Sequence, residues 1–264
     1  MKLGLIGATG WLGSALGKGL LEKGIVAPGD FTLLNRGGPP SDYHGYSDVF
    51  WAKDVPELVQ RSEIIVLSVR PQDWRGLQLA APGKLVLSFM AGVPCAELQR
   101  CGGRIVRAMP NAAAEMGASY SPWFAAEGVT VDDRDVVSRV LSGFGTSDPL
   151  DREDHIDLMT AVPGSGAAYP SLLAQAILTY LRDHGLPEQI ARKSVEAAVC
   201  DGARMLEGRV ESAATYLEAY LDYNGTTAAG LRAASAAGFE AAVSAALDAA
   251  IRASRDLLGP EENY

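Results

Sequence analysis

The chain has 264 residues, 48% of them hydrophobic and 21% charged, which is ordinary usage for a globular protein and enough length for one or two domains with a sizeable core. Its formal net charge is −9 and no run of Lys and Arg offsets it locally, so no nucleic-acid partner is expected. No apolar segment approaches the ~18–20 residues that cross a bilayer, and the first strand pattern starts at Lys2 with no room for a cleavable leader, so the expected location is cytoplasmic with no membrane partner. Cys95, Cys101 and Cys200 form an odd set without ligand spacing, and the three histidines are scattered, which points to neither a disulfide framework nor a metal site.

In chain order, short apolar runs come first: "KLGLI", "FTLLN", "EIIVLSV", "KLVLSF" and "RIVRAM", each followed by Gly, Pro or polar punctuation. Runs of this kind mark strands buried on both faces of a parallel sheet. The first part, residues 1–152, therefore reads as a Rossmann-type, doubly wound α/β domain. Between the first strand and the helix-like "WLGSALGKGLLEKG" lies "GATGWLG", with Gly7, Gly10 and Gly13. Glycine admits close backbone approach in such a turn, and the free N–H groups at the start of the next helix suit a pyrophosphate. Gly7, Ala8, Thr9, Gly10, Trp11 and Leu12 are the candidates for that contact, with Trp11 also readable as a lid or packing residue. The spacing is G-x-x-G-x-x-G, one residue longer than the commoner fingerprint, and a glycine turn without a ligand is the alternative.

The second strand ends in "LLNRGG". An acidic residue there would accept from a ribose hydroxyl and repel a 2′-phosphate; Asn35 and Arg36 suit the phosphate, so NADP(H) is favoured over NAD(H), with a plain surface arginine as the alternative. His44 falls in a surface loop, "GGPPSDYHGY".

After "DPLDREDH" alanine becomes dense and β-branched runs disappear, which assigns residues 153–264 to an all-α domain. His155 lies in its polar start. In "YPSLLAQAILTYLRDHGLPEQIARKSVEAAVCDGARML", His184 reads as a last-turn residue facing free carbonyls and Gly185 as a helix terminator. Pro187 and Glu188 read as the start of the next helix, and Cys200 as core. Alanine-rich helices gain little apolar area on their own, so burial against a second copy, a homodimer or larger homo-oligomer, is expected; a monomeric bundle is the alternative. The terminal "PEENY" reads as disordered.

Several of these pieces, in order, are those of a known family. The glycine turn, "NR" after the second strand, "IIVLSVRPQ", "LVLSFMAGV", "RAMPN", "TAVPGSGAAY", "HGLPEQIARKSVEAAVCDGARML" and "NGTTAAGLRAASAAGFEAAVSAALDAA" together resemble pyrroline-5-carboxylate reductase over nearly the whole chain. The resemblance implies that Ser68, Val69, Arg70 and Pro71 lie along the cofactor, that Met90, Ala91 and Gly92 face the nicotinamide ribose, and that residues 109–111, with Asn111, border the nicotinamide. It implies that Gly225, Thr226 and Thr227 hold the substrate carboxylate, with Thr227 hydrogen-bonding the ring nitrogen as the catalytic contact. Ser165, in the "GSG" that begins the pocket-lining helix, and Glu153 would lie beside the substrate. Asp222, Tyr223 and Asn224 stand where the family has Ser, Pro and Gly. For Thr226 and Thr227 an ordinary helix N-cap is the alternative.

The implied activity is NADPH-dependent reduction of the small cyclic imine 1-pyrroline-5-carboxylate to L-proline. Hydride transfer to an imine needs positioning rather than a metal or strong nucleophile, in keeping with a chain that shows no Cys/His cluster and no nucleophile elbow. The alternatives are a reductase of another cyclic imine and a non-catalytic NADP sensor.

Overall fold

The structure is a computed structural model that describes residues 1–259; residues 260–264, the terminal segment read as disordered, lie outside them. Met1–Ser165 together with the chain from Ala249 onward form one compact unit, and Gly166–Asp248 form a second.

The first unit is built on strands β1 (Leu3–Ile6), β2 (Phe31–Leu34), β3 (Phe50–Trp51), β4 (Ile64–Leu67), β5 (Leu85–Ser88), β6 (Arg104–Ala108), β7 (Ser119–Tyr120), β8 (Trp123–Ala125), β9 (Gly145–Thr146) and β10 (Pro149–Leu150). Eight of them make one sheet in the order β10-β8-β6-β5-β4-β1-β2-β3, parallel except where β8 runs antiparallel to β6; β7 and β9 form a separate pair. Leu3 stands opposite both Phe31 and Ile64, so β1 is central, and the connections leave it first to one side and then to the other. This reversal opens a crevice at the carboxyl ends of β1 and β4.

The five expected strands are β1, β2, β4, β5 and β6, and the alternation of their side chains feeds two cores. Leu3, Leu5, Val66, Leu87 and Val106 pack on one face, with Leu16 and Leu20 from α1 (Trp11–Glu22) and Phe144. Ile65, Leu67, Val86 and Ile105 pack on the other, with Leu58 of α2 (Val55–Arg61), Trp74 of α3 (Pro71–Trp74) and Leu98 of α4 (Cys95–Leu98). Because both faces are covered, the strands read as continuous apolar runs.

The loop between β2 and β3 is pinned rather than loose. Tyr43 is 5% exposed, meets Trp51 edge-on at 5.5 Å, and donates from its hydroxyl to the carbonyl of Ala8 at 3.3 Å. Gly17 of α1 makes room for it, since a Cβ there would lie 1.9 Å from the Tyr43 oxygen. Next to it, His44 faces solvent and pairs with the Ser14 hydroxyl at 3.1 Å.

Helix α5 (Val131–Leu141) opens on a capping box in which Thr130 and Asp133 exchange hydrogen bonds of 3.0 and 3.1 Å. The same Asp133 carboxylate takes a two-pronged bond from Arg104 of β6, at 2.6 and 2.8 Å. Helix α6 (His155–Ala161) completes this unit.

The second unit is helical: α7 (Ala168–Asp183), α8 (Glu188–Val195), α9 (Gly202–Arg204), α10 (Ala213–Tyr223), α11 (Thr226–Ala236) and the start of α12 (Phe239–Asp256), whose last turns belong to the first unit. His184 follows α7 and bonds the Tyr180 carbonyl through Nδ1 at 2.8 Å, Gly185 takes φ +77°, and Pro187 precedes α8. Cys200, expected in the core, is exposed on the single chain. Ala191, Val195 and Val199 form the buried face here, and Cys200, one residue past Val199 in a π-helical turn over Glu196–Asp201, points away from it. Among the described residues no single helix is long and apolar enough to cross a membrane.

Arg104, with the Thr130 N–H and hydroxyl, holds the Asp133 carboxyl down at about 2, below its unfolded value of about 3.9. A depressed carboxyl stabilises the fold above its unfolded pKa and ceases to do so as pH falls through its folded one. In urea unfolding, Asp133→Asn should therefore cost about 2 kcal/mol near neutral pH, with the gap to wild type closing between about pH 4 and pH 2.

Candidate active site

A cleft of about 910 Å³ lies at the crevice where β1, β2 and β4 end. Its floor is the glycine turn. Gly7 has φ +88°, and a Cβ there would sit 2.1 Å from the Ser68 carbonyl oxygen; one on Gly13 would sit 2.2 Å from the Gly7 carbonyl. The Gly7 and Ala8 amides both donate to the Leu34 carbonyl, at 2.9 and 3.3 Å, which ties the turn to the end of β2. Gly10 caps α1 without any side-chain hydrogen bond, so the first-turn N–H groups keep their donor capacity at the positive end of the helix. Trp11 stands beside them, 61% exposed, with Thr9 and Leu12 in the same turn.

Gly7, Gly10, Asn35, Arg36, Ser68, Val69 and Arg70 all line this cleft, and Pro71 opens the short α3 at its edge. Lys53, Asp54 and Asp73 also line it, and reasoning from the sequence passed over them. Asp54 is occupied as the N-cap of α2, accepting from the Glu57 amide at 2.9 Å. Asp73 joins two guanidinium groups: Arg36 donates to it at 3.3 Å, and Arg70 through Nε and Nη2 at 3.1 and 3.2 Å. Arg70, and then Arg36, hold the Asp73 carboxyl below the usual range. The i,i+3 spacing of Arg70 and Asp73 at a helix start was the available signal.

Glu153 and Gly92 lie elsewhere, at a second cavity of about 470 Å³ that also takes in Pro94, Arg107 and Arg255. Glu153 Oε1 accepts from Arg107 Nη1 and from the Cys95 amide, both at 2.7 Å. Arg107 is 4% exposed, and its Nε and Nη2 have no hydrogen-bond partner among the described residues. Burial, and then the Glu153 charge, push the Cys95 thiol up to about 12, so it stays protonated and poorly nucleophilic. Arg107 was legible as a charge inside the apolar run "RIVRAM".

Met90 is buried after β5, with its amide bonded to Ser88 Oγ at 3.2 Å and Ala91 next to it. Asn111 follows β6; its side chain accepts from the Ala113 amide at 3.0 Å and its own backbone N–H donates to the Ser119 hydroxyl oxygen at 3.1 Å. Ser165 bonds back to the Thr160 carbonyl at 3.1 Å. In the second unit, Asn224 takes φ +56° and Gly225 is the N-cap of α11, without a side-chain hydrogen bond. Thr226 and Thr227 are thus the first two helical residues, and neither is the N-cap.

Residues 153–257 match the family model for pyrroline-5-carboxylate reductase dimerisation. The chain is 32% identical over 245 residues to the pyrroline-5-carboxylate reductase of Pseudomonas aeruginosa, covering 88% of each. It belongs to the pyrroline-5-carboxylate reductase family. Its fold is that of the Coxiella burnetii enzyme of this name (24% identical, TM-score 0.83, 98% of this chain and 99% of the other). It is shared also with the Plasmodium falciparum pyrroline carboxylate reductase solved with NADP bound (23% identical, TM-score 0.81, 98% of each).

Glu153 is thus the counter-ion of a buried arginine. Glu153→Gln should lower unfolding stability by about 3 kcal/mol, because it leaves that charge uncompensated. Adding Arg107→Met should recover a large part of the loss in a double-mutant cycle followed by denaturant titration.

Proposed function

We propose that this chain reduces 1-pyrroline-5-carboxylate to L-proline with NADPH. The observation that carries the reading is the cleft itself in a chain of this family: a glycine turn that a Cβ would block, an uncapped helix start, and Arg36 and Arg70 at the ends of the neighbouring strands. These residues fit a dinucleotide phosphate chain with a 2′-phosphate at its adenosine end.

When bound, NADPH supplies the hydride that reduces the imine carbon. The protein's part is placement. Gly7, Ala8, Thr9, Gly10, Trp11 and Leu12 form the turn and helix start that hold the pyrophosphate, with Asn35, Arg36 and Arg70 toward the 2′-phosphate. Ser68, Val69 and Pro71 lie along the dinucleotide, and Met90, Ala91, Gly92 and Asn111 lie toward the nicotinamide. At the start of α11, Gly225, Thr226 and Thr227 offer N–H and hydroxyl donors to the substrate carboxylate, and the Thr227 hydroxyl holds the ring nitrogen in a hydrogen bond while that nitrogen takes from water the proton that balances the hydride. Ser165 and Glu153 frame the substrate, Glu153 through its bond to Arg107. Fixed orientation of this kind accounts for most of the acceleration. Residues 1–152 hold the cofactor, residues 153–264 carry the substrate contacts and the self-association of a homo-oligomer, and the protein acts in the cytoplasm.

Two features support the assembly. Among the described residues of the second unit the buried hydrophobics are only Ala191, Val195, Val199 and Ala228, whereas Leu172, Tyr180 and Val210 are 70%, 62% and 73% exposed. That much exposed apolar surface on one small unit is the mark of an interface.

Mixing the protein with NADPH and DL-pyrroline-5-carboxylate should consume NADPH, seen as loss of nicotinamide absorbance; no consumption despite NADPH binding would overturn the assignment. Thr227→Val should lower kcat/KM for the imine about 10–100-fold with little change in the Kd of NADPH. Leu172→Glu should shift the mass measured by light scattering toward that of the monomer.

A further inference from the structure

We infer that Asp73 is a specificity-determining residue, which restrains the preference for a 2′-phosphorylated cofactor by competing with that phosphate for Arg36 and Arg70. The inference rests on the dinucleotide reading of the cleft. Two guanidinium groups reach the cleft from different strand ends, Arg36 after β2 and Arg70 after β4, and both are committed to one carboxylate. Asp73 Oδ1 receives Arg36 Nη1 and Arg70 Nη2, and Oδ2 receives Arg70 Nε, so a phosphate that needs these donors must take them from Asp73. Lys53 is the other cation on the cleft wall, and the other carboxylate, Asp54, is spent on the cap of α2.

The two ligand types meet this carboxylate with opposite sign. A 2′-hydroxyl can donate to it, the arrangement by which an acidic residue favours the unphosphorylated dinucleotide. A 2′-phosphate dianion is repelled by it and offers no proton. Asp73 also orders the two arginines, which works in favour of the phosphate. The magnitudes decide between these effects. The side chains of Arg36 and Arg70 are 80% and 69% exposed, and ion pairs between exposed groups contribute little, so the benefit of ordering is small. Repulsion between a carboxylate and a dianion that share the same guanidinium donors in a solvated cleft corresponds to about 5–10-fold in binding, and it is the larger effect.

The test is equilibrium binding of 2′,5′-ADP and of AMP, by calorimetry at low ionic strength, to the full chain and to its Asp73→Asn variant. The expected result is that the affinity ratio of 2′,5′-ADP over AMP rises about 5–10-fold in Asp73→Asn, and that added salt shrinks the difference. Arg36→Gln should lower the ratio in both backgrounds. A ratio that stays the same or falls in Asp73→Asn, in protein that binds both nucleotides, overturns the role of Asp73 and leaves the dinucleotide reading intact. If neither nucleotide binds either protein, the dinucleotide reading fails and the inference falls with it. The melting temperature of each variant, taken alongside, identifies any loss that comes from unfolding.

Discussion

The Ser68 carbonyl occupies the space that a side chain on Gly7 would need, and this contact between the ends of β1 and β4 governs the whole carboxyl edge of the sheet. It lets the turn after β1 close tightly enough for its amides to reach the Leu34 carbonyl, so three strand ends are laced together at one point. Everything that faces the cleft is carried on the segments leaving that point: the helix start at Gly10, Asn35 and Arg36, and Val69 and Arg70. Tyr43 adds a brace from the loop after β2 by bonding Ala8 from the other side. Backbone packing thereby fixes the points from which the charged side chains depart, and Asp73 then gathers Arg36 and Arg70.

The electrostatics are divided in the same way. The chain is acidic as a whole, yet Lys53, Arg36 and Arg70 concentrate positive charge along one cleft, where the nearby carboxylates are already bound to partners. In the second cavity a buried guanidinium is balanced by Glu153, and a protonated thiol sits next to the pair. Neither place presents an activated nucleophile or base. Chemistry that depends on orienting a hydride donor and an imine asks for no more than this.

Much of the architecture was legible because burial on both faces writes itself into a sequence as unbroken apolar runs, and all five such runs became strands. The two-residue strands β3, β7, β9 and β10 were not, since a pairing that short leaves no periodic trace. Nor was the antiparallel β8, whose direction is decided by its partner β6. Cys200 misled because residue type predicts burial only on average, and on the single chain that position falls off the face formed by Ala191, Val195 and Val199. In the cleft, the glycines and Arg36 were readable from their place after strands, whereas Asp73 acquires its meaning only when the chain brings Arg36, 37 positions away in sequence, against it. For Thr226 and Thr227 the sequence left a helix cap open as the alternative to a substrate contact, because threonine so often is a cap; here Gly225 takes that position.

The edges of the eight-stranded sheet have a consequence for the behaviour of the protein in solution. At each end the final strand is only two residues long, Phe50–Trp51 on one side and Pro149–Leu150 on the other, and Pro149 has no N–H to offer. A template so short cannot recruit a strand from another molecule, so the sheet is protected from the open-ended stacking that leads to fibrils. Stickiness is left to the apolar side chains of the helices, where contacts between copies can close on themselves and stop.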